Sequence, residues 1–331
     1  MSKKVVKIAV SGAAGQIGYS LLFRLAAAQL FAMDCRIELS LLELEPAMSA
    51  LKGVVMELED CAFPQLASIK ISSDPYEAFA DADWALLVGA APRKAGMERA
   101  DLLKINASIF LQQGRALAAA ARKDCRVLVV GNPCNTNAFI VKESAVGLDP
   151  KNIFAMMMLD QNRAAAQIAR RAAVDVTEIR RIGIWGNHST TQFPDFYHAT
   201  ISGRNVRDVI ADDRWLQTFF IETVQNRGAD IIKSRGMSSA ASAANAVVDT
   251  MAAILTPTLE NDFFSVAQIS CGEYGVPEGL IFGYPVCSNG TRLMVVSGLT
   301  HEIFAEQKIK ATIQELVQER DAVKDVLKKQ H

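Results

Sequence analysis

Short apolar runs alternate with helical periodicity through the first half of the chain. Mostly apolar stretches at 7–11, 37–42, 69–72, 84–89, 126–131 and 153–157 have strand length. Between them, apolar residues recur at helical spacing over 16–31, 47–61, 75–79, 100–122 and 136–146. Asp74-Pro75 marks one of these starts, an N-cap oxygen followed by a ring with preset φ. Unbroken apolar strands separated by helices belong in a parallel sheet covered on both faces. Right-handed crossovers then make the sheet doubly wound. Beyond residue 157 the pattern changes. Strands are expected at 182–185, 197–202, 264–270, 280–286 and 293–296, the last three antiparallel, and helices over 215–226 and 239–255. Ile309, Ile313, Leu316, Val323 and Leu327, set among charges, predict a closing helix with one buried face.

The first strand breaks into Gly12-Ala13-Ala14-Gly15-Gln16-Ile17-Gly18, and a helical pattern follows at once. A strand that turns sharply into a helix offers backbone N–H groups to a phosphate at the helix start. The second strand ends in Glu43, where a carboxylate can accept from both ribose hydroxyls and repel a 2′-phosphate. No Lys or Arg stands between Glu43 and Lys52 to offset it, which favours NAD over NADP. The fold class is therefore α/β: an N-terminal Rossmann sheet, doubly wound and parallel, over 1–157. An α+β substrate domain with antiparallel strands is expected over 158–331.

Composition bounds the function. Of 331 residues 50% are hydrophobic and 21% charged, and the net charge is -1, so neither nucleic acid nor an anionic membrane is expected as partner. No apolar run approaches the roughly 18 residues of a membrane span. Met1 to Lys4 leads straight into the first strand, and no signal or transit peptide is expected. The six cysteines form no Cys-x-x-Cys pair and fit a reducing cytoplasm. His188, His198, His301 and His331 show no metal-ligand spacing, so no metal site is expected.

Three segments carry candidate chemistry. Pro92-Arg93-Lys94-Ala95-Gly96-Met97-Glu98-Arg99 follows the fourth strand, and its two arginines suit an anionic substrate or simply a solvated loop. In Leu159-Asp160-Gln161-Asn162-Arg163 the acid and the arginine share a helix face, where a plain intrahelical ion pair is the commoner outcome. Trp185-Gly186-Asn187-His188 ends an apolar strand in an imidazole, which is structural or else a proton acceptor oriented by an aspartate.

Together with Gly131-Asn132-Pro133 and Ser238-Ser239-Ala240-Ala241-Ser242-Ala243-Ala244-Asn245-Ala246, these motifs resemble the malate dehydrogenases of the cytosolic type, within the lactate/malate dehydrogenase superfamily. The likeness runs over nearly the whole chain in the family's order. It implies reversible oxidation of (S)-malate to oxaloacetate with NAD, by a homodimer in the cytoplasm. His188 is implied as proton acceptor and Asp160 as its carboxylate partner. Arg163 is implied to bind the carboxylate beside the reacting carbon, Arg93 the far carboxylate, and Arg99 to close in with its loop. Asn132 is implied between substrate and nicotinamide. Gly12, Ala13, Ala14, Gly15, Gln16, Ile17, Gly18, Glu43, Asn106, Gln113, Val130, Gly131, Asn132 and Ser242 are implied to hold NAD; Asn106 and Gln113 rest on the resemblance only. The alternative is a lactate or broader 2-hydroxy acid dehydrogenase, a group that typically carries glutamine where Arg93 stands. Two departures from the family pattern stand out: Met158 and Gln161 replace the usual arginine and histidine, which places local packing or subunit contacts around that helix in question, and Glu43 replaces the more frequent aspartate, adding one methylene and keeping the charge.

Overall fold

The computed structural model describes residues 4–27, 30–31, 35–91 and 99–328. The chain divides into two compact units, Met1–Ala155 with Glu319–His331, and Met156–Gln318.

The first unit is built on β1 (Val5–Ser11), β2 (Arg36–Leu42), β3 (Leu66–Ser72), β4 (Trp84–Leu87), β5 (Arg126–Val129) and β6 (Ile153–Met156). They lie side by side in the order β6-β5-β4-β1-β2-β3, and every pairing is parallel. The strand order reverses direction between β1 and β4, which is where an open sheet of this kind forms its ligand crevice. The interleaved helices are α1 (Gln16–Ala27), α2 (Met48–Asp60), α3 (Pro75–Ala78), α4 (Arg99–Ala120) and α5 (Cys134–Ser144). Ile8, Val10, Leu86, Val127 and Leu128 are fully buried, as the unbroken apolar runs require. Asp74 caps α3 as expected, its side chain accepting from the Tyr76 N–H at 2.9 Å.

The second unit opens with α6 (Met158–Ala172) and continues through β7 (Ile179–Arg180), β8 (Gly183–Trp185), β9 (Phe193–Asp195), β10 (Thr200–Ile201) and β11 (Arg204–Asn205). Next come α7 (Val206–Ile210), α8 (Asp213–Trp215), a π turn (Leu216–Phe220), α9 (Ile221–Arg235) and α10 (Ala241–Leu255). The antiparallel set β12 (Phe264–Ile269), β13 (Ile281–Ser288) and β14 (Leu293–Val295) precedes α11 (Ile303–Lys328). β8 pairs antiparallel with β9, and the end of β8 is bridged to β13 through Gly186 and Gly283.

The strand expected at 197–202 shrinks to Thr200–Ile201. The N–H groups of Tyr197 and His198 turn back onto the Asp195 carboxylate instead of entering a ladder. No helix among the described residues is long and apolar enough to cross a membrane.

Candidate active site

In the first unit the glycine turn and the acid of the second strand meet. Gly12, at φ +66°, lies so close to Gly89 that a Cβ would fall 2.5 Å from the Gly89 Cα. Only glycine allows that backbone crossing. The turn then closes with the Gly15 N–H on the Gly12 carbonyl at 3.1 Å, and α1 begins at Gln16. Glu43 faces the turn: its Oε2 accepts from the Ala14 N–H at 3.0 Å and its Oε1 from the Leu44 N–H at 2.9 Å. A cradle without side chains beside a carboxylate suits a pyrophosphate and a diol, so the residues present fit a dinucleotide.

Of the other cofactor candidates, Val130 to Asn132 follow the end of β5, and Asn106 and Gln113 lie on α4. Val130 is buried and Asn132 exposed, and the buried Asn137 fixes their turn by donating to the Gly131 carbonyl at 2.8 Å. Asn106 is buried too; its Oδ1 accepts from the Ala91 N–H at 2.8 Å, and its Nδ2 donates to the Ala91 carbonyl. It thereby anchors the chain leaving β4. Gln113, on the same helix, is buried with its Oε1 lacking a hydrogen-bond partner among the described residues. Arg99 is the first residue of α4, and Arg93 lies outside the described residues.

The second unit gathers His188, Asp160 and Arg163. Asp160 sits in the first turn of α6 and is 0% exposed. Its Oδ1 accepts from Arg163 Nη1 at 3.1 Å and from Gln192 Nε2 at 3.2 Å. Its Oδ2 is left for His188 Nδ1, and the two are hydrogen-bonded. The intrahelical ion pair expected from spacing is made, and the imidazole joins it. Burial pushes the Asp160 carboxyl up, but the His188 charge and hydrogen bond, the Arg163 guanidinium and the Gln192 amide together hold it below the usual carboxylate range. Asp160 is therefore an anion at neutral pH. With the proton on Nδ1, a neutral His188 keeps its lone pair on Nε2. The His188 and Arg163 side chains retain 12% and 13% exposure, enough to reach a small molecule.

The segment holding His188 is fixed from α11. Gly186 (φ +98°) ends β8 against Thr312, where a Cβ would meet the Thr312 side chain at 2.2 Å. Thr312 Oγ1 accepts from the Asn187 N–H at 2.8 Å. The Glu315 carboxylate accepts from Asn187 Nδ2 at 2.9 Å, from Thr191 Oγ1 at 2.6 Å and from Ser189 Oγ. Gln192, Thr312 and Glu315 escaped sequence reasoning, and Ser239 (3.4 Å from Arg163 Nη2) entered only inside a motif, with no role assigned. An amide or hydroxyl carries no spacing rule, and Glu315 reads as one more charge on a solvated face. Ser242 is exposed in the first turn of α10.

The departure at Gln161 has a local function: its Oε1 accepts from the Ser265 N–H of β12 at 2.6 Å. Met158 is buried in the apolar interior. Asn162 of α6 donates to Asp249 of α10 at 2.8 Å, fastening the two helices, and Asn245 within α10 donates to the same carboxylate.

The first unit, with its glycine crossing and strand-end carboxylate, defines the class: a dinucleotide-binding α/β protein. The model of the lactate/malate dehydrogenase NAD-binding domain matches residues 6–155, and that of the family's alpha/beta C-terminal domain matches 158–327. The chain belongs to the lactate/malate dehydrogenase family and is an NAD-dependent dehydrogenase. A malate dehydrogenase from Naegleria fowleri is 44% identical, with 98% of this chain and 99% of that one covered and a TM-score of 0.94. A lactate dehydrogenase from Trichomonas vaginalis, solved with NADH and oxamate, is 36% identical, covering 98% and 99%, with a TM-score of 0.93. A malate dehydrogenase from Plasmodium falciparum, at 21% identity, 97% and 99% coverage and a TM-score of 0.80, shares the fold.

Proposed function

We propose that the chain catalyses the reversible, NAD-dependent oxidation of (S)-malate to oxaloacetate. The observation that carries the reading is the buried Asp160 carboxylate hydrogen-bonded to His188 Nδ1. It leaves the Nε2 lone pair to take the hydroxyl proton of the substrate, and the Asp160 charge stabilises the imidazolium that forms. Bound NAD supplies the hydride acceptor. Gly12 to Gly18, Glu43, Asn106, Gln113, Val130 to Asn132 and Ser242 are the residues proposed to hold it. Arg163 receives the carboxylate next to the reacting carbon, with Asn132 also on the substrate. Arg93 receives the far carboxylate, and Arg99 completes the cationic set. The enzyme works as a homodimer in the cytoplasm on this reading, and 1–157 and 158–331 act as its cofactor and substrate domains.

Arg93 decides between a diacid and a monoacid. An enclosed guanidinium with no carboxylate opposite costs about 3–5 kcal/mol, a factor of about 10²–10³ or more in rate ratio. Arg93→Gln is expected to lower turnover of malate by at least that factor while lactate turnover falls far less. Equal losses on both substrates refute the role. The 36% identity to a lactate dehydrogenase favours a second reading, oxidation of lactate or other 2-hydroxy acids. Under that reading Arg93→Gln leaves the ratio of the two rates unchanged.

A further inference from the structure

The second unit contains a cluster of ligating groups that the dehydrogenase reaction leaves unused. Asp195, at the end of β9, is fully buried. Its Oδ1 accepts from the N–H groups of Tyr197 (2.9 Å) and His198 (3.3 Å). Its Oδ2 accepts from Trp185 Nε1 (3.1 Å) and is 2.7 Å from His198 Nδ1. Four donors occupy the four lone-pair directions of a carboxylate, so Asp195 orients His198 rather than offering a free oxygen. A neutral His198 then carries its lone pair on Nε2.

His301, two residues before α11, stands beside it. The two ring centroids are 5.6 Å apart and the planes cross at 86°. Both His301 nitrogens are shielded from solvent, and neither has a hydrogen-bond partner among the described residues. Two imidazoles bound at 2.0–2.1 Å to one tetrahedral ion have centroids about 5 Å apart. One ligating atom each from Asp195, His198 and His301 falls within 4.8 Å of the others. Both histidines are among the residues lining a cavity of about 470 Å³, with Asn205, Thr300 and Glu302 on its wall. Arg207 lines it too, but its charge is matched by Asp213 and Glu302.

We propose that His198 and His301 bind one divalent transition-metal ion, with Asp195 behind His198 as the carboxylate that fixes its ring. Imidazole donors select zinc, nickel or copper over magnesium or calcium. A carboxylate on the far nitrogen is the usual support for a metal-bound histidine. Water in the adjoining cavity completes the shell. The ion would tie the end of β9 to the start of α11, the helix that carries Thr312 and Glu315. The proposal does not depend on which hydroxy acid the enzyme oxidises.

The test uses the full chain, stripped with chelator and titrated with zinc chloride by calorimetry. Wild type is expected to bind about one more zinc ion per chain than His301→Gln, while both oxidise NADH at equal rates before metal is added. Equal zinc binding by the two proteins overturns the proposal, since zinc then sits elsewhere, for instance on the exposed Cys61 or Cys271 thiols. Should His301→Gln fail to fold, X-ray absorption of cobalt-loaded wild type decides. Two imidazole nitrogens per cobalt support the site; sulfur ligands or an all-water shell overturn it.

Discussion

Asp160→Asn isolates what the buried carboxylate contributes. The substitution keeps the shape and removes the charge. Oδ1 of Asp160 faces two donors, Arg163 and Gln192. An asparagine oxygen must stay there, which turns its NH₂ toward His188 Nδ1. That nitrogen then has to accept, and the proton moves to Nε2, the position meant to receive the substrate's proton. The charge is lost as well: unit charges 4 Å apart at an effective dielectric near 20 attract by about 4 kcal/mol. Applied to the imidazolium formed during reaction, this is about three decades in rate, inside the 10²–10⁴ range of a positioned general base. We expect kcat for NADH oxidation with oxaloacetate to fall about 10³-fold, with NADH affinity by fluorescence close to wild type. A kcat within about tenfold of wild type, in a variant with unchanged near-ultraviolet dichroism, refutes the role assigned to Asp160.

Other perturbations probe the same frame. Because the folded Asp160 carboxyl is held below its ordinary value, it contributes stability that is fully present above an unfolded-state pKa of about 3.9 and lost as pH falls through the folded value. Urea denaturation from pH 7 downward should therefore show Asp160→Asn less stable near neutrality, with the gap to wild type closing below about pH 4; a constant gap contradicts this. Glu315→Ala removes the carboxylate that accepts from Asn187, Ser189 and Thr191. It should lose about 1–3 kcal/mol of stability and lower kcat through the displaced His188, as thermal melting and steady-state rates would record.

Much of the first unit was legible because a parallel strand buried on both faces has an unmistakable composition. All six strands lie where apolar runs stand between helical patterns, and the Asp74-Pro75 start was a local chemical signal. The second unit was harder. Its helix expected to end at 226 continues to Arg235, straight through Gly228, because a glycine inside a helix is tolerated at modest cost. The strand expected at 197–202 gave way to a side chain, Asp195, competing for backbone N–H groups. In the site, spacing revealed that Asp160 and Arg163 share a face. Only the fold shows that one carboxylate oxygen serves the arginine and the other the imidazole 28 positions away. The pairing of His198 with His301 is likewise invisible in spacing, since the two histidines approach through tertiary packing alone.

The most direct measurement of the central claim is kcat/KM of the purified enzyme with NADH for oxaloacetate and for pyruvate under one condition. A preference for oxaloacetate of about 10²-fold or more is expected. Equal or greater efficiency with pyruvate would contradict it.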